Sequence, residues 1–200
     1  MNAAVETRDE PTPPGGADDR ALMARVSLGD DDAFRTLTER HMPMVHALAW
    51  RMLADGAEAE DVVQEVFTKL WVGAKSWTPV GGGLGAWLRR IATNACLDRL
   101  RRRRHVSAEP VPERADEAPA ADAMIDEARR RHAVTAAIQA LPDRQRAAIV
   151  LTYYEGVPNA EAAATLGLGV KALESLLVRA RQSLSRALAA QGLIPHGADG

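Results

Sequence analysis

Apolar residues in this 200-residue chain recur at helical spacing in two blocks separated by a stretch without periodicity. In the first block, Leu22, Val26 and Leu28 mark a helix that stops at Gly29-Asp30. Gly29 suits a left-handed C-terminal position, and the acidic run Asp30, Asp31 and Asp32 can cap the next helix. That second helix is predicted over about 33–53, with Phe34, Leu37, Met44, Val45 and Leu48 on one face and Pro43 expected to kink it. After a break at Asp55-Gly56 comes a third helix, about 58–74. A Pro/Gly loop from Thr78 to Gly85 then leads to a fourth, about 86–104. The second block predicts helices at about 124–140, 142–155, 160–166 and 170–189. No strand is needed.

The expected fold is therefore all-α: two small helical domains, residues 18–105 and 124–190, joined by a flexible acidic linker over 106–123. Residues 1–17 and 191–200 read as tails, the first with the Pro-rich, acidic composition of a disordered segment. Fully extended, the linker reaches roughly 55 Å, so the two units could sit far apart on one ligand. No run approaches the roughly 20 apolar residues of a membrane span, and the N-terminus has no signal-peptide pattern, so no membrane insertion is expected. The single cysteine, Cys96, allows no intrachain disulfide, which fits a cytoplasmic location.

Net charge is only −2, but it is segregated. Residues 87–105 carry seven arginines (89, 90, 99, 101, 102, 103 and 104) against one acid, Asp98. Residues 107–127 hold seven acids and one base, Arg114. Such a distribution points to a polyanionic partner despite the average.

The sharpest pattern is NAEAAATLGLGVKALESL, residues 159–176. Asn159 can cap a first helix, and Glu161 favours its N-terminal end. Ala163, four residues before Gly167, lets a second helix approach, while Gly167 permits a positive φ at the turn. Ala162, Leu166, Leu168, Leu173 and Leu176 fall where a helix-turn-helix must bury side chains. An ordinary helical hairpin is the plainer alternative. In a DNA reader the second helix enters the major groove, making Lys171, Ala172, Glu174 and Ser175 candidates for base contacts. Arg179 and Arg181 then suit phosphates.

The fourth helix is amphipathic. Leu88, Ile91, Ala95 and Leu100 suit a buried stripe, with Arg89, Arg90, Thr93 and Asn94 outside it. Asn94 can both donate to and accept from a base, and Arg101 and Arg102 extend the basic surface. Trp77 and Trp87 bracket the glycine-rich loop; either could stack on an unpaired base, or both could pack in a small core. The five histidines (41, 46, 105, 132 and 196) lack metal-ligand spacing with Cys96, and Gly81-Gly82-Gly83 lacks the lysine of a phosphate-binding loop. An enzyme is therefore disfavoured, and no cofactor is expected. A plain helix-turn-helix regulator, or a protein that only sequesters a partner, are the other readings.

Several motifs together resemble one family. Gly29-Asp30 with Ala33-Phe34, EDVVQEVF (60–67) leading to Leu70-Trp71, and WLRRIATN (87–94) look like the first domain of extracytoplasmic-function (ECF) sigma factors. LPDRQR (141–146), Tyr154-Glu155-Gly156, the helix-turn-helix and Arg179-Ala180-Arg181 are similar to their last domain. The resemblance implies RNA polymerase core enzyme and promoter DNA as partners, and leaves an anti-sigma factor open as a third. It implies that Asp61, Val62, Gln64, Glu65 and Phe67 belong to a polymerase-docking helix. The loop 78–85, with Trp77, Arg89, Arg90, Asn94, Arg101 and Arg102, would face the −10 element, where opening costs a few kcal/mol per base. The helix-turn-helix would read the −35 element. The loop is richer in glycine than the family's usual pattern, and Lys171-Ala172-Leu173-Glu174-Ser175 departs from its usual recognition run.

Overall fold

The computed structural model describes residues 16–79, 81–106 and 122–194, and among these there is no strand. The first unit is α1 (Gly16–Val26), α2 (Asp31–Leu53), α3 (Gly56–Gly73) and α4 (Gly83–Val106). The expected linker lies mostly outside the described residues. The second unit is α5 (Asp122–Gln139), α6 (Asp143–Ile149), α7 (Asn159–Thr165) and α8 (Val170–Ala190), with one π-helical turn, Val150–Tyr154, extending α6.

Local chemistry sets each boundary. Gly29 takes φ +86°, and Asp30 caps α2 by accepting from the Ala33 amide at 3.0 Å. That bond, followed by one from Arg25 Nε, holds the Asp30 carboxyl below its usual range. Pro43 does not interrupt α2: it lies on the exposed side, where the carbonyl its missing N–H would have served can be hydrated. In the next turn the left-handed residue is Ala54 (φ 49°), and its N–H donates to Trp50 O at 2.8 Å. Asp55 then caps α3 through the Glu58 amide at 3.0 Å. Asp19, buried on α1, accepts from Arg40 Nη1 (2.5 Å) and bonds His41 Nε2 (2.8 Å), pinning α1 to α2.

The helix-turn-helix forms as its glycine and alanine spacing requires. Gly167 takes φ +63°, Leu168 N–H donates to Ala163 O at 2.8 Å, and Ala162, Ala163, Leu166 and Leu173 are buried. Leu168 and Leu176 are half-buried against the same core. Asn159 does not cap α7, because Pro158 holds the N-cap position and no side-chain cap is made. Arg144 Nη2 fixes the turn from α6, donating to Leu166 O at 2.6 Å.

The two units are in contact. Their buried side chains form one continuous cluster, with Leu37, Leu48, Val62, Val66 and Leu88 from the first and Leu151, Ala162 and Leu173 from the second. Fully burying a leucine or valine side chain stabilises by about 1.5–3 kcal/mol. Polar bonds stitch the boundary. Arg146, 7% exposed on α6, donates to Met52 O (2.7 Å), to Gln139 Oε1 (2.7 Å) and to Gln139 O. Gln139 Nε2 in turn donates to Arg51 O at 2.8 Å. These groups satisfy carbonyls in the last turn of α2, which have no partner within the helix.

Candidate nucleic-acid and polymerase-binding surfaces

The EDVVQEVF segment lies on α3, and helical periodicity splits it. Val62 (0% exposed) and Phe67 (5% exposed) point into the core, so in this conformation they hold the helix in place and reach no partner. They lie on the apolar face that the helical spacing gives them. Asp61 and Gln64 are exposed. Glu65 is tied down: it accepts from Lys69 Nζ at 2.7 Å and Arg99 Nη1 at 2.9 Å, and these bonds hold its carboxyl below the usual glutamate range. Beside Gln64, a shallow groove runs between α2 and α3, lined by Met42, Pro43, His46, Glu60 and Val63. Sequence reasoning missed its α2 side. The available signal was Met42-Pro43 followed by Trp50, apolar residues off the buried stripe of α2 and exposed in the structure.

The loop between α3 and α4 folds back on the two tryptophans. Both are half-buried and packed against the core, yet both also line an open recess with Thr78, Gly81 and Arg90. The packing and stacking readings thus describe different faces of the same rings. Gly82 takes φ +84°, and a Cβ there would stand 2.6 Å from that of Ala86, so glycine is required.

On α4, Arg90, Asn94 and Arg101 are exposed and share one stripe, at i, i+4 and i+11. Arg102 is also exposed. Thr93 was placed outside the apolar stripe but is fully buried. It belongs with Arg89, Cys96 and Leu100 to a second stripe, because α4 packs against α6 and α7 as well as α2 and α3. Burial pushes the Cys96 thiol up to about 12, so it is not a reactive thiolate.

The arginine run is also less free than its sequence suggests. Arg89 pairs with Glu161 (2.9 Å), Arg99 with Glu65 (2.9 Å) and Arg101 with Asp98 (2.9 Å). Arg103 pairs with Asp55 (3.1 Å) and Glu58 (2.9 Å), and Arg104 with Asp143. Among the described residues, Arg90 and Arg102 are the members of the run without an ion pair.

In the second unit, Lys171, Ala172, Glu174, Ser175, Arg179 and Arg181 are all exposed along α8. The Ser175 hydroxyl donates to Lys171 O (3.0 Å) and Arg179 Nε to Ser175 O (3.3 Å), so both rest on their own helix. Arg181 borders a recess with Tyr153, Asn159, Glu174 and Val178. Among the described residues, no three His, Cys, Asp or Glu side chains are grouped to hold a metal ion.

A helix-turn-helix unit beside a helical unit that carries a basic helix and an aromatic-lined loop defines a two-surface DNA-reading protein. Sigma-70 region 2 matches residues 37–106, and Sigma-70, region 4 matches residues 131–184. The ECF RNA polymerase sigma factor SigE of Mycolicibacterium smegmatis is 34% identical over 189 residues, covering 92% of this chain and 71% of its own length. Among solved structures, CnrH in complex with the cytosolic domain of CnrY shares 32% identity and a TM-score of 0.64, covering 86% of this chain and 97% of its own. The sigma factor RpoE from Bartonella quintana, in complex with the anti-sigma factor NepR, shares 27% identity and a TM-score of 0.60, covering 78% and 96%.

The chain belongs to the ECF family of RNA polymerase sigma factors. It is a sigma factor, binding core enzyme and directing promoter-specific initiation through −10 and −35 elements; a regulator that ignores polymerase is not favoured.

Proposed function

We propose a division of labour within that role. Residues 18–105 and 124–190 act as separate reading units, the 106–123 segment joining them. The exposed Asp61 and Gln64, with the neighbouring groove between α2 and α3, dock on core polymerase. Arg90, which lines the Trp77–Trp87 recess, and Asn94, one turn further along α4, take up an unpaired base of the −10 strand while Arg101 and Arg102 hold phosphates. The N-terminal turns of α8 present Lys171, Glu174 and Ser175 to the −35 major groove. The protein contributes binding energy and no chemistry of its own. It acts in the cell interior, where the polymerase is; no helix among the described residues is long and apolar enough to cross a membrane. An anti-sigma factor is proposed as a further partner, since both solved relatives above were captured as complexes.

The observation that carries this reading is the single exposed stripe of Arg90, Asn94 and Arg101 beside the aromatic recess. The test pairs two variants in reconstituted transcription. Asn94→Ala is expected to lower promoter opening more than duplex affinity, whereas equal losses contradict a single-strand role. Asp61→Arg with Gln64→Ala is expected to abolish co-purification with core enzyme without loss of helicity; unchanged co-purification refutes the docking face.

A further inference from the structure

The cap and first half of α3 hold five acids, Asp55, Glu58, Glu60, Asp61 and Glu65, with no base before Lys69. Residues 55, 58, 61 and 65 follow at spacings of three and four, so they share one stripe and repel one another. Two arginines of α4 answer this charge from across the helix pair. Arg99 Nη1 donates to Glu65 Oε2 at 2.9 Å. Arg103 Nε donates to Glu58 Oε1 at 2.9 Å, Nη2 to Asp55 Oδ2 at 3.1 Å and Nη1 to Leu53 O at 3.3 Å. Its planar fork thus joins the end of α2, the cap of α3 and the first turn of α3. Asp61, between the two held acids Glu58 and Glu65, is exposed and makes no ion pair among the described residues. Arg99 and Arg103 lie one turn apart on the side of α4 that meets α3, whereas Arg101 and Arg102 between them are exposed. The Arg99 side chain is only 19% exposed, which leaves it little room for a phosphate.

We propose that Arg99 and Arg103 serve polymerase docking and not DNA binding: they are positioning residues that hold α3 against α4 and fix how Asp61 is presented to core enzyme. By neutralising Glu58 and Glu65 on either side, they leave Asp61 as the free charge of its stripe, open to a cation on the partner. Moving Arg103 onto a phosphate would strip Asp55, Glu58 and the Leu53 carbonyl of that donor together, so the exchange gains little. Helical periodicity therefore splits the arginine run. Arg90, Arg101 and Arg102 face outward to DNA, and Arg99 and Arg103 face inward and build the docking surface. The inference rests on the assignment of Asp61 and Gln64 to docking, and adds the residues that hold them in place.

The test compares two double variants of the full chain, Arg99→Gln with Arg103→Gln and Arg101→Gln with Arg102→Gln, reconstituted with core enzyme. Titrating the fluorescently labelled chain with core gives the docking affinity. Transcript yield from genomic fragments, followed against chain concentration, gives a half-maximal point and a maximum. Contact with DNA is read from the salt dependence of holoenzyme binding to single-stranded DNA of random sequence. The inward pair is expected to weaken docking about tenfold and to raise the half-maximal concentration by about the same factor, with the maximum and the salt slope unchanged. The outward pair is expected to leave docking unchanged and to reduce the slope by about 1.4, two phosphates at about 0.7 each. Should the inward double variant fail to fold, Arg99→Gln alone should weaken docking about threefold, and Arg99→Lys should restore most of that, since one ammonium can reach Glu65. Parental docking affinity in the inward variant overturns the proposal. So does a lowered maximum at an unchanged half-maximal concentration, or a slope reduced as much as in the outward variant. Unchanged co-purification of the Asp61→Arg, Gln64→Ala chain would instead overturn the docking face itself. Loss of that co-purification beside normal docking of the inward variant overturns this inference alone.

Discussion

Replacing Arg146 with methionine removes the charge and keeps the volume, so it isolates the polar bonds between the units. The guanidinium makes three good bonds, to Met52 O, Gln139 Oε1 and Gln139 O, and a long one to Leu141 O at 3.4 Å. Bonds to a charged donor contribute about 1.5–3 kcal/mol each, and an orphaned buried carbonyl costs a comparable amount. Against this, burial disfavours the charged guanidinium and pulls its pKa down, so removing it recovers several kcal/mol of desolvation. The balance is a loss of about 3 kcal/mol. For a chain of this size that is roughly 6–12 °C in melting temperature. Urea unfolding followed by helical signal reads the loss directly. The variant's transition should also broaden or split, since the bonds join the end of α2 to α5 and α6. Arg146→Lys should recover only part, because one ammonium cannot reach three separated acceptors. A methionine variant within about 1 kcal/mol of the parent and melting in one sharp step would refute the reasoning.

Other sites give three smaller predictions. Ala54→Gly should stabilise by about 0.5–1 kcal/mol, since the left-handed conformation costs an L-residue about 1–2 kcal/mol and glycine returns part of that in unfolded-state entropy; a destabilised variant in thermal melting contradicts the strain. Glu65, whose folded pKa is depressed by Lys69 and Arg99, contributes stability that is present above the ordinary glutamate pKa and lost as pH falls through the folded value. The stability difference between parent and Glu65→Gln should accordingly shrink on acidification, and a difference independent of pH rules out the bracket. Lys171→Ala combined with Glu174→Ala should erase protection of the upstream promoter element in footprinting while leaving the downstream footprint; loss of both means the change acts on folding.

The helices themselves were legible, because 3.6-residue periodicity and capping chemistry act locally. Asp30, Asp55, Gly29 and Gly167 announced their turns in the sequence, and most predicted ends fall within two or three residues of those observed. What stayed hidden was set by tertiary neighbours. The run 87–105 reads as free positive charge because the acids that neutralise it, Glu58, Glu65, Asp143 and Glu161, lie far away along the chain. Thr93 reads as a surface position until the second unit gives α4 another buried face, for which Cys96 on the same stripe was the one clue. Val62 and Phe67 show the reverse: periodicity alone placed them on the apolar face that the fold buries. Ala54 could not be found, since nothing in its identity marks a left-handed residue when Gly56 stands two positions away.

Run-off transcription from genomic fragments with core polymerase, with and without the purified chain, tests the central claim most directly. Discrete start sites should appear only when the chain is added and should fade steeply with salt, as binding to phosphate requires. Transcripts whose start sites are the same with and without the chain, on every fragment offered, would contradict the account.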